Sequence, residues 1–135
     1  MNRAIQIRRA IFAAALSRAR ETPKQECCGL LAGREDVITR IFPAVNALAS
    51  PTAYEIAPRE LFRLIREIRA AGTELMGIYH SHPNGKNEPS RRDVERAYYP
   101  DAAHFILSPR ADAAQPMRAF FIREGIVEEL EVQVI

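Results

Sequence analysis

The stretch His80-Ser81-His82-Pro83-Asn84-Gly85-Lys86-Asn87-Glu88-Pro89-Ser90-Arg91-Arg92-Asp93 limits what this chain can fold into more than any other segment. Two histidines one residue apart share a face only where the backbone is extended, because strand side chains alternate. Pro83 breaks that strand, and Pro89 delivers the chain to Ser90, a residue suited to opening a helix. Asp93 then falls in the first helical turn, three residues after Ser90, as in a capping box. If the intervening loop turns back, Asp93 comes close to both imidazoles. Two His nitrogens and one carboxylate form a common catalytic zinc set, since a fourth position stays open for water. Taken singly, Ser90-x-x-Asp93 is a helix cap and a strand histidine is a packing residue. Together they predict a metal site with His80, His82 and Asp93 as ligands.

The bulk properties exclude several alternatives. A chain of 135 residues is the size of one domain and can bury a core unaided, so residues 1–135 are expected to form a single domain. A formal charge of +2, with arginines scattered from Arg3 and Arg8 to Arg63, Arg91 and Arg118, gives no basis for a nucleic-acid or membrane partner. Only two cysteines occur, the adjacent Cys27 and Cys28, so no disulfide framework is expected and a reducing, cytoplasmic setting follows. On a strand they face opposite sides, which puts at least one in the core. Arg3, Arg8 and Arg9 before Ile11 to Leu16 mimic a signal peptide, but Ile11, Phe12, Ala15, Leu16 and Ala19 mark one face of a helix. No run approaches the ~18 apolar residues of a membrane span.

The remaining pattern alternates strands with helices. Strands are expected at Ala4 to Ile7, Cys28 to Ala32, Val37 to Val45, Leu75 to His82, Ala103 to Leu107, Met117 to Arg123 and Ile126 to Val134. Turns fall around Gly33 to Asp36 and at Glu124-Gly125. A first helix spans about Arg8 to Arg20. A second begins at Pro58, with a stripe of Leu61, Leu64, Ile65 and Ile68, and stops near Gly72. A third runs from Ser90 to near Tyr99-Pro100, and Tyr54 to Ile56 is a short extended piece. This predicts one α/β domain with a mixed, mostly antiparallel sheet flanked by helices.

His80-x-His82, seven residues, then Ser90-x-x-Asp93 resembles the complete motif of the JAMM, or MPN+, zinc metalloproteases. That family also has an upstream acidic residue, commonly within Pro-x-Glu-x-Cys-Gly-x-Leu. Pro23-Lys24-Gln25-Glu26-Cys27-Cys28-Gly29-Leu30 is similar, with one extra residue between Pro and Glu. The order of elements matches as well, so the resemblance covers nearly the whole chain and implies a JAMM/MPN, cytidine-deaminase-like fold. It implies Zn²⁺ held by His80, His82 and Asp93, with Glu26 as the general base. Ser90 would then be both helix cap and donor to the oxyanion.

Small prokaryotic members of this family, including the Mec-like type, act on the C-terminal Gly-Gly tail of ubiquitin-like and sulfur-carrier proteins of the ThiS/MoaD type. The resemblance implies the same partner class here, with a place in cysteine or other sulfur metabolism. A Gly-Gly tail is thin enough for a narrow groove and can pair with a strand edge, for which the piece around Ala53 to Ile56 is the candidate. Asn46 and Tyr54 flank a loop that would border this groove, whereas His104, beside an apolar run, is expected to be unrelated to the metal. A non-catalytic carrier-binding or scaffold module with a structural zinc is the alternative. The DNA-repair-associated RadC family shares a similar His-x-His-Pro loop, but the Glu26 segment and the modest charge favour the peptidase branch. Neither His-Glu-x-x-His nor a deaminase His-x-Glu with Pro-Cys-x-x-Cys occurs.

Overall fold

Residues 3–135 are described by a computed structural model. The elements run β1 (Ala4–Ile7), α1 (Arg9–Glu21), β2 (Cys28–Arg34), β3 (Val37–Ala44), α2 (Pro58–Ala70) and β4 (Glu74–Ser81). They continue with α3 (Arg91–Glu95), β5 (Ala103–Leu107), β6 (Met117–Arg123) and β7 (Ile126–Val134). The strands close into a barrel in the order β1-β3-β2-β4-β5-β6-β7, with β7 returning to β1. Four of the seven pairings are antiparallel, which agrees with the mixed α/β expectation. Closure comes from the parallel β1–β7 pair, whose members lie far apart in sequence and carry no local signal of their partnership.

Local chemistry accounts for the tight connections. Glu35 and Asp36 both take positive φ, 54° and 66°, as do Glu124 and Gly125 at 52° and 78°. Two consecutive left-handed residues match the right-handed twist of hairpin strands. Gly72, at φ 73°, ends α2, donating its N–H to the Arg69 carbonyl at 3.0 Å.

Alternation along β2 and β4 divides the core. Leu31, Tyr79 and Phe105 pack on one face with Ala15, Leu16 and Ala19 of α1. Cys28, Leu30 and Ile78 pack on the other with Leu64 and Ile68 of α2. Each helix thus presents the stripe its sequence predicts. Cys27 and Cys28 are both buried, one in each cluster, as opposite-facing neighbours must be. No described helix is long and apolar enough to cross a membrane.

The third helix is shorter than expected, ending at Glu95 rather than near Tyr99. Val94 and Ala97 pack against Ile106, Phe120 and Ile122, while Tyr99 turns to the α2-side cluster. The chain leaves the helix to reach both. Pro100 also disfavours a helical Tyr99.

β2 and β4 approach closely because Gly29 lies opposite Tyr79. A Cβ there would stand 2.5 Å from the Tyr79 hydroxyl and 2.6 Å from the Phe42 carbonyl oxygen, a backbone atom that cannot rotate away. Gly29→Ala is therefore expected to cost about 1–3 kcal/mol, read as a lower urea midpoint. A midpoint equal to that of wild type would contradict this packing.

Candidate metal centre

The β2–β4 register builds the site. Cys28 pairs with His80 across the ladder. Beyond it, Ser81 N–H donates to the Cys27 carbonyl at 3.1 Å, and Cys27 N–H donates to Ser81 Oγ at 2.9 Å. Extending this register by one residue sets Glu26 opposite His82. Since faces alternate, Glu26, Cys28, His80 and His82 all project to the α2 side. The backbone of Glu26 is fixed at both ends: its N–H donates to the Ser50 carbonyl at 2.8 Å, and its carbonyl accepts from Asn46 Nδ2 at 3.0 Å. Asn46, expected at a groove, is instead a buried brace that also accepts from Leu48 and Glu55 N–H.

The loop from Pro83 to Pro89 turns back as the motif requires. Asp93 Oδ2 lies 3.2 Å from His80 Nε2 and 3.2 Å from His82 Nε2, and the two Nε2 atoms are 3.1 Å apart. Ligands about 2.0–2.1 Å from a tetrahedral zinc stand roughly 3.3 Å from one another, so the triangle has the right size. Its chemistry agrees. His82 Nδ1 is 2.8 Å from the Lys86 carbonyl, which only a protonated Nδ1 can satisfy. In the neutral ring, Nε2 then directs a lone pair at a carboxylate oxygen and a second imidazole. A cation at the centre resolves that conflict. His80 is fully buried, and its ring stacks on Tyr54 with centroids 4.5 Å apart.

Ser90 and Asp93 form the predicted capping box, with Asp93 N–H donating to Ser90 Oγ at 3.1 Å and Ser90 N–H to Asp93 Oδ2 at 2.9 Å. Ser90 Oγ therefore accepts locally and keeps its hydrogen to donate. Burial opposes ionisation of Asp93, but the His80 and His82 rings beside it, which donate to it when protonated, outweigh burial and hold the carboxyl well below its usual range. Burial disfavours a charged His80. It acts likewise on His82, where bonding to Asp93 and the Lys86 carbonyl prevails and raises the pKa.

Glu26 stands at the edge of this triangle. Its ligand atom and those of His80 and His82 all lie within 4.8 Å of one another. These three could also hold a metal, but the triangle with Asp93 is tighter. Glu26 is 4% exposed and its Oε1 has no hydrogen-bond partner among the described residues. Burial, offset by His82 and reinforced by Asp93, pushes its pKa up to about 7. Such a group can take and return a proton near neutrality. Neither cysteine belongs to the group of Glu26, His80 and His82. Burial pushes Cys28 up to about 12 and raises Cys27 as well.

The sequence reading missed the Lys86 carbonyl, a backbone group that residue identity does not disclose. It also missed the cavity beside Asp93, which Tyr54, Arg92, Arg96 and His104 help to line. Tyr54, expected to flank the substrate groove, lines this cavity.

An α/β barrel thus gathers two imidazoles, a capping aspartate and a buried glutamate into one group that could hold a metal ion. The chain belongs to the prokaryotic homologues of the JAB domain, whose family model matches residues 8–123. It is 36% identical over 131 residues to the CysO-cysteine peptidase of Mycobacterium tuberculosis, covering 96% of this chain and 90% of that protein. It is 42% identical over 101 residues to the desampylase of Haloferax volcanii, covering 70% and 73% respectively. The solution structure of a Desulfitobacterium hafniense protein, 29% identical, superposes with a TM-score of 0.84 over 97% of this chain and 92% of that one.

His104 lies on β5, 3% exposed, and its Nε2 has no partner among the described residues. Burial, helped by His80 and opposed by Asp93, pulls its pKa down to about 4 from an ordinary 6.5. The unfolded chain then binds the proton first, so stability falls as pH drops from 6.5 to about 4, by about 3 kcal/mol. Glu26 titrates in the opposite sense over part of this window, so comparison with His104→Gln isolates the effect. The variant is expected to lose less stability on acidification, measured by urea unfolding across that range. Equal losses in both proteins would contradict a buried, neutral His104.

Proposed function

We propose that residues 1–135 form one zinc metallopeptidase domain that hydrolyses the bond after the C-terminal Gly-Gly tail of a ubiquitin-like or sulfur-carrier protein, in the cytoplasm. The carrying observation is a buried Glu26, without a hydrogen-bond partner for Oε1, beside a triangle of ligand atoms. His80, His82 and Asp93 would hold Zn²⁺, which supplies Lewis-acid activation of a water and of the substrate carbonyl. Glu26 takes the proton of the attacking water and returns it to the leaving amine. Ser90 donates its hydroxyl hydrogen to the carbonyl oxygen as negative charge develops there. Asp93 keeps its charge because the capping box and both histidines stabilise it. Lys86 holds the His82 ring through Nδ1, an orienting bond typical of metal-binding histidines. A purely structural zinc would leave the buried carboxylate of Glu26 without a role, so the scaffold reading accounts for less of the site.

The tail has a rail along residues 54–56. Glu55 donates its N–H to Asn46 Oδ1 and its carbonyl accepts from Ala47, which turns this residue toward the 46–47 loop. Among the described residues, the backbones of Tyr54 and Ile56 make no such bond, and in an extended piece they face the other way. A glycine tail can pair there as an added strand.

Two tests follow. Glu26→Gln should keep one zinc per chain and lose at least ~10²–10⁴-fold in turnover of a Gly-Gly-extended carrier, while Asp93→Asn loses the zinc. A Glu26→Gln protein that cleaves at the wild-type rate would remove Glu26 as the base. Binding of an uncleaved carrier tail should slow amide exchange at Tyr54 and Ile56. Unchanged exchange there would place the tail elsewhere.

A further inference from the structure

The two histidines of the triangle are held in different ways. His82 has its Nδ1 fixed by the Lys86 carbonyl at 2.8 Å. His80 is fully buried, yet its Nδ1 has no hydrogen-bond partner among the described residues. Metal-binding imidazoles usually have the second nitrogen anchored, which fixes the plane of the ring. Without that anchor the plane is soft, because a terminal sp³–sp² torsion has broad wells. What lies flat against the His80 ring is Tyr54, with centroids 4.5 Å apart and planes 21° from parallel. The His82 ring, by contrast, is tilted 58° to it at 4.9 Å.

Tyr54 is itself anchored on both sides. The Ala53 carbonyl accepts from Asn46 Nδ2 at 3.0 Å, and the Glu55 N–H donates to Asn46 Oδ1 at 3.2 Å. The same amide nitrogen donates to the Glu26 carbonyl, so one buried side chain ties the Tyr54 segment to the strand side of the site. An aliphatic residue could fill the space beside Cys28, Leu30 and Ile78, the cluster on which Tyr54 packs. A phenol ring adds direction, because its negatively polarised face favours an offset stack. An imidazole that shares its Nε2 lone pair with a cation becomes electron-poor, and that face then holds it more strongly. The contact therefore favours the metal-loaded state over the metal-free one, the condition for raising affinity.

We propose that Tyr54 is a positioning residue for the metal: by stacking it sets the plane of the His80 ring, and through that ring it strengthens zinc binding. The inference rests on the reading of His80, His82 and Asp93 as the zinc ligands. Tyr54 as core filler would contribute to stability alone, so zinc affinity separates the two roles.

The test measures zinc affinity by competition with a chelating dye, with folding of each variant checked by its urea midpoint. Tyr54→Leu is expected to bind zinc roughly two- to tenfold more weakly, the range that a stacked aromatic pair supplies. Tyr54→Phe keeps the ring and is expected to match wild type. Tyr99→Leu changes a ring that lines the same cavity and packs on the same cluster, and it too is expected to match wild type. Wild-type affinity in Tyr54→Leu overturns the role, as does an equal loss in Tyr54→Phe or in Tyr99→Leu. Should Tyr54→Leu not fold, nuclear Overhauser contacts between the Tyr54 and His80 rings in zinc-loaded wild type decide, and their absence overturns the role. A wild-type protein that takes up no zinc would instead overturn the ligand assignment itself.

Discussion

Two hydrogen bonds past the end of the β2–β4 ladder hold the site in register. Ser81 and Cys27 exchange them, one through backbone and one through the serine hydroxyl. They prolong the pairing by a residue at the point where β4 breaks toward Pro83. Glu26 lies two residues before β2, and these bonds carry the pairing far enough to bring its carboxylate beside the two histidines. The brace of Asn46 on the Glu26 carbonyl and of Ser50 on its N–H completes the restraint. The buried, uncharged tendency of Glu26 follows from this placement, because the surroundings that exclude water also raise the cost of its charge.

The ligand triangle depends on a second return of the chain. Proline at either end of the 83–89 loop and the capping box at Ser90 set the direction in which Asp93 re-enters. Asn87 ties the same loop down, with Nδ2 donating to the Gln115 carbonyl at 2.6 Å. Three donor atoms about 3.1–3.2 Å apart, one a carboxylate oxygen and one an imidazole lone pair, are poorly served by hydrogen bonds alone. A cation placed among them would relieve the repulsion between the His82 lone pair and the Asp93 carboxylate.

Much of this was legible in the chain. The His80-x-His82 alternation, the Pro83 break and the Ser90–Asp93 spacing each correspond to a local geometry, and local geometry is what residue order encodes best. The stripes of α1 and α2 and the Glu124-Gly125 turn were readable for the same reason. Less accessible was whatever depends on distant pairing. Barrel closure joins β1 to β7, the early end of α3 reflects packing of Val94 and Tyr99 on different clusters, and the His82 ring is oriented by a main-chain carbonyl at Lys86. Asn46 shows the limit from the other side. Its type suits a groove as well as a brace, and only its four partners decide between them.

The central claim is that His80, His82 and Asp93 are built to hold a metal while both cysteines stay out of its shell. X-ray absorption at the zinc edge of the purified, zinc-loaded protein tests it most directly. The account predicts one zinc per chain with about four light N or O neighbours at roughly 2.0–2.1 Å, including the outer-shell scattering of two imidazoles. A sulfur shell near 2.3 Å, or scattering from fewer than two imidazoles, would contradict it.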